Sequence, residues 1–152
     1  MKFLLTSELG RLAKWLRILG FDASYINSGN ISSIIIEALK QDRIILTRNR
    51  HFPRSGGLQI VVITAEKFKD QIKEVQDRLR IDNATLVLFK RCVTCNQLLE
   101  PVDKNGVKGL VPEYVLNTQQ TFTSCPLCKK IYWQGTHWGN VEDTLKELIR
   151  SG

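Results

Sequence analysis

The chain opens on a short apolar run, KFLL (2–5), whose length suits a buried strand better than a helix. The period then changes. Set at about 100° per residue, SELGRLAKWLRILG (7–20) gathers Leu9, Leu12, Ala13, Leu16 and Leu19 on one face. Ser7 is the expected N-cap of that helix and Gly20 its expected stop. Arg11, Lys14 and Arg17 fall together on the opposite side, with Trp15 at the edge of the apolar stripe. FDASYI (21–26) predicts a second strand. NISSIIIEALKQ (30–41) predicts a helix capped by Asn30, although its consecutive isoleucines prefer strands because of their β-branching. RIILT (43–47) and LQIVVIT (58–64) read as strands. Between them RNRHFPRSGG (48–57) is a polar loop marked by Gly and Pro. AEKFKDQIKEVQDRLR (65–80) is strongly helical, with Phe68, Ile72, Val75 and Leu79 spaced for one face. Strands alternating with helices predict parallel βαβ units in a three-layer α/β domain. Open sheets of that kind bind ligands beyond the carboxyl ends of their strands. The residues after Leu5 and Leu46 occupy such ends, and Thr6 and Asn49 are expected to face one another there.

TLVLF (85–89) reads as one more short strand. The pattern then loses its periodicity until NVEDTLKELIR (140–150), which reads as a helix. The expected division is an α/β domain over 1–88 and a small lobe with a C-terminal helix over 89–152. The lobe holds all 4 cysteines, in two Cys-x-x-Cys pairs, CVTC (92–95) and CPLC (125–128). Two such pairs can present four thiolates tetrahedrally to zinc, and a closed Cys₄ site is structural. Two disulfides, a redox pair or buried thiols are the alternatives, but a redox motif would account for one pair and not two. Cys92, Cys95, Cys125 and Cys128 are thus the expected zinc ligands. YWQGTHW (132–138) follows the second pair. Trp133, His137 and Trp138 are candidates for stacking on and pairing with an RNA base, or for packing the lobe.

Composition narrows the class. A hydrophobic fraction of 43% with 24% charged residues is that of a globular chain. No apolar run approaches the roughly 18 residues of a membrane span. MKFLLTSELGR makes a poor signal peptide, so a cytoplasmic location is expected. The net charge of +7 is unevenly placed. Residues 1–90 carry 15 Lys and Arg against 9 Asp and Glu, whereas residues 91–152 carry 7 against 6. The cationic excess lies in the α/β region, where it favours a polyanionic partner.

The blocks FLLTSELGRLAKWLRILGFD, RIILTRN, RCVTCNQLLE, VPEYV and CPLCKKIYWQGTHW occur in an order that resembles the Mut-seven C-terminal RNase domain family. Its members are PIN-like proteins with a C-terminal zinc ribbon. The resemblance runs from about Phe3 to Trp138. It implies a PIN-like α/β fold with a mainly parallel sheet, a structural zinc, and RNA as the substrate class. PIN-type nucleases hold Mg²⁺ or Mn²⁺ with acidic side chains, and the metal positions the attacking water and offsets phosphate charge. The family pattern expects an Asp where this chain has Thr6, another at Asn49, and a third acid near NISS (30–33). All three regions lack a carboxylate. Asp22 is retained, and Glu8 and Glu37 lie in neighbouring segments. Thr and Asn cannot offset a dication as Asp does, so Mg²⁺ or Mn²⁺ is disfavoured. Such a pocket becomes net positive beside Arg11, Lys14, Arg17, Arg48, Arg50 and Arg54. The expected function is RNA binding with weak or lost nuclease activity. The alternatives are a ribonuclease with a displaced site, built on Asp22, Glu8 or Glu37 or on His51 or His137 as acid–base, and a zinc-ribbon module that binds protein.

Overall fold

Phe3, Leu4, Leu5, Ile45 and Leu46 are wholly buried, and the first part of the molecule is built around them. The computed structural model describes residues 1–54, 56–133 and 139–150. It divides the chain into two compact units, Met1–Asn96 and Gln97–Gly152, so that the first cysteine pair stays with the α/β unit.

In the first unit β1 (Lys2–Leu5), β2 (Asp22–Tyr25), β3 (Ile44–Thr47) and β4 (Ile60–Val62) form a parallel sheet in the order β2-β1-β3-β4. Side chains alternate across a strand, so Leu4 and Ile45, which are paired in register, share one face. There α2 (Ile31–Gln41) packs with Ile34 and Ala38, joined by Phe52 from the loop after β3. On the other side α1 (Gly10–Ile18) meets α3 (Phe68–Leu79), where Trp15 stacks on Phe68 with ring centroids 5.4 Å apart. The apolar positions expected on α1, Leu9 to Leu19, are all buried. α2 forms despite its isoleucines because Ile34 and Ala38 lie inward and the Asn30 side chain accepts from the Ser33 N–H at 2.8 Å.

Three details differ from the pattern. Ser7 does not cap α1: Ser7–Leu9 form a 3₁₀ turn entered from Thr6. β4 is shorter than 58–64, although the Ile63 N–H still reaches the Thr47 carbonyl at 2.7 Å. TLVLF is not a strand. Asn83–Thr85 is a 3₁₀ turn, Phe89 is left-handed at φ 57°, and its N–H donates to the Ile18 carbonyl at 2.9 Å. The segment is therefore tied to the end of α1 and not to a neighbouring strand. Gly20 makes that approach feasible: at φ +97° it has no Cβ, which would lie 2.2 Å from the Val87 carbonyl oxygen.

In the second unit β5 (Glu100–Val102), β6 (Phe122–Ser124) and β7 (Ile131–Trp133) form an antiparallel sheet in that order. α4 (Glu113–Thr118), which the periodicity did not reveal, supplies Val115 to a small core with Val107 and Phe122. α5 (Gly139–Arg150) turns Leu145 and Leu148 inward. Among the described residues no helix is long and apolar enough to cross a membrane.

Candidate functional site

The chain passes from β1 to β2 on one side of the sheet and resumes with β3 on the other. The connections diverge between β1 and β3, and a crevice at the carboxyl ends of those strands is the expected ligand position. Thr6 and Thr47 stand at those strand ends, both buried. The Thr6 N–H donates to the Leu46 carbonyl at 3.2 Å, which fixes Thr6 against β3. The two hydroxyl oxygens lie 3.0 Å apart.

Between them sits a carboxylate. Glu8 Oε1 accepts from Thr6 Oγ1 at 2.6 Å, from Thr47 Oγ1 at 3.1 Å and from the Arg48 N–H at 2.8 Å. Each hydroxyl has one proton. With Thr6 and Thr47 both donating to Glu8, the Thr47 oxygen remains free to accept the Asn49 N–H at 3.1 Å. Burial works to raise the Glu8 pKa, but the hydrogen bonds from Thr6, Arg48, its own backbone and Thr47 prevail and hold it below the ordinary value. Thr6 therefore does not face Asn49 directly; Thr47 stands between them. The Asn49 side chain is turned to its own loop, where Oδ1 accepts from the His51 N–H at 2.9 Å. Thr47 was not singled out by the sequence, because a terminal Thr suits any strand. Its one signal was its place at the polar end of an apolar run.

The other two acids are elsewhere. Asp22 pairs with Lys2 in the register of β1 and β2, at the amino-terminal edge of the sheet. There it accepts from Arg43 Nη1 and Asn96 Nδ2, each at 2.7 Å, with Arg91 Nη2 at 3.8 Å. Burial opposes ionisation of Asp22, but Arg43, Asn96 and Arg91 lower its pKa on balance. Glu37 lies toward the end of α2 and accepts from Gln41, whose Oε1 in turn accepts from Arg43 Nε at 2.6 Å. Asp22 and Glu37 thus belong to a structural network on Arg43, which corrects the expectation that they are residual acids of the pocket.

Among the cations the correction concerns Arg17. It is buried, and donates from Nε to the Ala23 carbonyl at 2.9 Å and from Nη1 to the carbonyls of Val93 and Thr94 at 2.8 and 3.1 Å. Those bonds take it out of the cationic face expected with Arg11 and Lys14. Arg11 lies at the start of α1, near the carboxyl edge of the sheet, with its guanidinium 3.8 Å from the Phe68 ring centroid. Lys14, Arg50, Arg54 and His51 are exposed and Arg48 is half-buried. Trp133 packs against the Val107–Val115–Phe122 core, which favours its packing role over stacking on a base. His137 and Trp138 lie outside the described residues.

The cysteine pairs adopt one local geometry twice. The Cys95 N–H points to Cys92 Sγ at 3.4 Å, and the Cys128 N–H to Cys125 Sγ at 3.5 Å. The next residues, Asn96 and Lys129, are left-handed at φ 64° and 65°, and their N–H groups return to the carbonyls of Cys92 and Cys125, each at 2.9 Å. Each turn thus brings its two cysteines together and points one backbone N–H at the first sulfur of the pair. The four sulfurs lie within 4.8 Å of one another, and the four cysteines are not joined in disulfides. Tetrahedral coordination at a metal–sulfur distance of about 2.3 Å needs sulfurs roughly 3.8 Å apart. The donor set and spacing fit a metal that prefers thiolates.

A protein-family model described as the Mut7-C RNAse domain matches residues 1–145. No curated protein and no solved structure matches the chain.

Proposed function

The chain belongs to the Mut7-C RNAse domain family, and from that premise we propose that it binds RNA at the β1–β3 crevice with little or no metal-dependent cleavage. One observation carries this reading. The side chains at these strand ends are the neutral Thr6, Thr47 and Asn49, and among the described residues the one carboxylate bonded to them, Glu8, has one oxygen engaged by three donors. A catalytic Mg²⁺ or Mn²⁺ needs carboxylate oxygens free to coordinate it, and this crevice offers too few. Arg48, Arg50 and Arg54 follow β3 directly, with Arg11 and Lys14 on α1, so phosphate is attracted without metal. The four-cysteine cluster is read as a structural zinc site that stabilises its own turns and takes no part in chemistry.

The test uses a labelled single-stranded RNA. Fluorescence anisotropy should show binding that weakens steeply as salt rises, because phosphate contacts release counterions. The same RNA, incubated with Mg²⁺ or Mn²⁺, should remain intact. No binding at low salt would overturn the reading. Since Glu8 does lie at the crevice, a second reading is a ribonuclease that uses it as a displaced acid. Mn²⁺-dependent cleavage abolished by Glu8→Gln would establish that one instead.

A further inference from the structure

Three donors converge on one oxygen at the crevice: the Thr6 hydroxyl, the Thr47 hydroxyl and the Arg48 amide, at 2.6, 3.1 and 2.8 Å from Glu8 Oε1. The donors are held independently of Glu8. Thr6 is fixed by its bond to the Leu46 carbonyl, Thr47 by the β3 ladder, and Arg48 follows Thr47 in the chain. Thr47 is fully buried and Thr6 nearly so, and the Thr47 oxygen is engaged by the Asn49 N–H. The occupant differs in kind. Glu8 belongs to the short Ser7–Leu9 turn and is an exposed residue, so its carboxylate can leave for water. A carboxylate oxygen and a non-bridging phosphate oxygen want the same partners, several short donors around one anionic atom. Preorganised donors bind with little loss of conformational freedom.

We propose that the hydroxyls of Thr6 and Thr47 and the Arg48 amide form a cradle for one non-bridging oxygen of an RNA phosphate, and that the Glu8 carboxylate fills it until RNA displaces it. The inference rests on the RNA-binding reading and names the contact that reading requires. Glu8 then acts as a tethered competitor. It also explains how two buried hydroxyls remain hydrogen-bonded in the free protein at a site meant for a ligand.

The experiment compares RNA affinity by anisotropy for the wild-type chain, Glu8→Ala, and Glu66→Gln. The last removes one negative charge from the loop after β4, at the same edge of the sheet, without touching the cradle. Glu8→Ala should bind about tenfold tighter than wild type, the factor that about 1.4 kcal/mol supplies, while Glu66→Gln changes affinity less than twofold. Adding Thr47→Val, or separately Thr6→Val, to Glu8→Ala should remove the gain. Equal gains for Glu8→Ala and Glu66→Gln would mean that charge alone matters and would overturn the cradle. A second measurement needs no RNA: inorganic phosphate titrated into ¹⁵N-labelled Glu8→Ala should shift the Arg48 amide resonance. RNA binding without that shift and without the gain overturns the cradle and leaves the RNA reading standing. A phosphate shift with no RNA binding keeps the cradle as a phosphate site and overturns the RNA reading.

Discussion

Asp22→Asn separates a structural acid from a catalytic one. The wild-type carboxylate sits among Arg43, Arg91 and Asn96, with side chains 19% exposed at Asp22, 11% at Arg43 and 18% at Arg91. The substitution keeps the shape and removes the charge, leaving two guanidinium groups near each other and poorly solvated. Removing one partner of a fully buried pair costs about 3–5 kcal/mol. The remaining exposure screens part of this, so about 2–3 kcal/mol is expected. For a unit of this size that lowers the midpoint of thermal unfolding by roughly 10–20 °C. Urea unfolding followed by circular dichroism should show a lower midpoint at unchanged slope. The pH dependence has a definite sign. The folded pKa of Asp22 is depressed, so its contribution is present above the unfolded value of about 3.9 and is lost as pH falls through the folded value. The gap between wild type and variant should therefore close in strong acid. A stability loss under about 0.5 kcal/mol at pH 7 would refute the structural reading. So would a loss of RNA binding with stability intact, which would return Asp22 to the site.

Thr6→Asp combined with Asn49→Asp should create a divalent-cation site once the new side chain at position 49 turns from its own loop, because the Thr6 hydroxyl and the Asn49 backbone both adjoin Thr47 Oγ1 and Glu8 adds a third carboxylate. Millimolar MnCl₂ should raise the melting temperature of the double variant, by about 2.7 kcal/mol of stabilisation at a hundredfold excess over Kd, and leave wild type unmoved. Absence of any Mn²⁺-dependent shift would show that the crevice cannot gather those side chains. Arg17→Met should leave the Val93 and Thr94 carbonyls without their donor and loosen the Cys92–Cys95 turn. On the proposed zinc site, release of the metal to a chromogenic chelator should then be about tenfold faster, for about 1.4 kcal/mol of lost hold, and an unchanged rate would count against the anchoring role.

What the sequence could reveal follows from the range of the interactions involved. The apolar face of α1 was legible because helical period is a local property, and Leu9, Leu12, Ala13, Leu16 and Leu19 are buried as spaced. Arg17 was misplaced by the same logic. The helix period puts it opposite the apolar stripe, but the Cys92–Cys95 turn, 76 residues on, supplies carbonyls on that side. TLVLF had the composition of a strand, yet the Thr85 and Leu86 N–H groups turn back on their own 3₁₀ turn, the Phe89 N–H goes to the end of α1, and the left-handed Phe89 cannot continue a ladder. The strand ends themselves followed from the alternation of elements, whereas what meets at them did not. Whether Glu8 points inward depends on the 3₁₀ turn at Ser7–Leu9, and Thr47 matters only through its register beside Thr6. The two cysteine pairs were the most legible of all, since metal spacing is written into short sequence motifs.

The bonds around Ala23 bear on what the sheet can recruit. β2 is an edge strand, and edge strands offer unpaired amides and carbonyls to any passing chain. At Ala23 both groups are taken: Arg17 donates to its carbonyl and the Asn96 side chain accepts from its N–H at 3.0 Å. Two side chains imitate the next rung of the ladder and close it. Strand addition on the β2 side, whether by another copy of the chain or by an extended peptide, must first break both bonds. The turn that carries Cys92 and Cys95, through Asn96 at its exit, thereby also guards the sheet against growth at that edge.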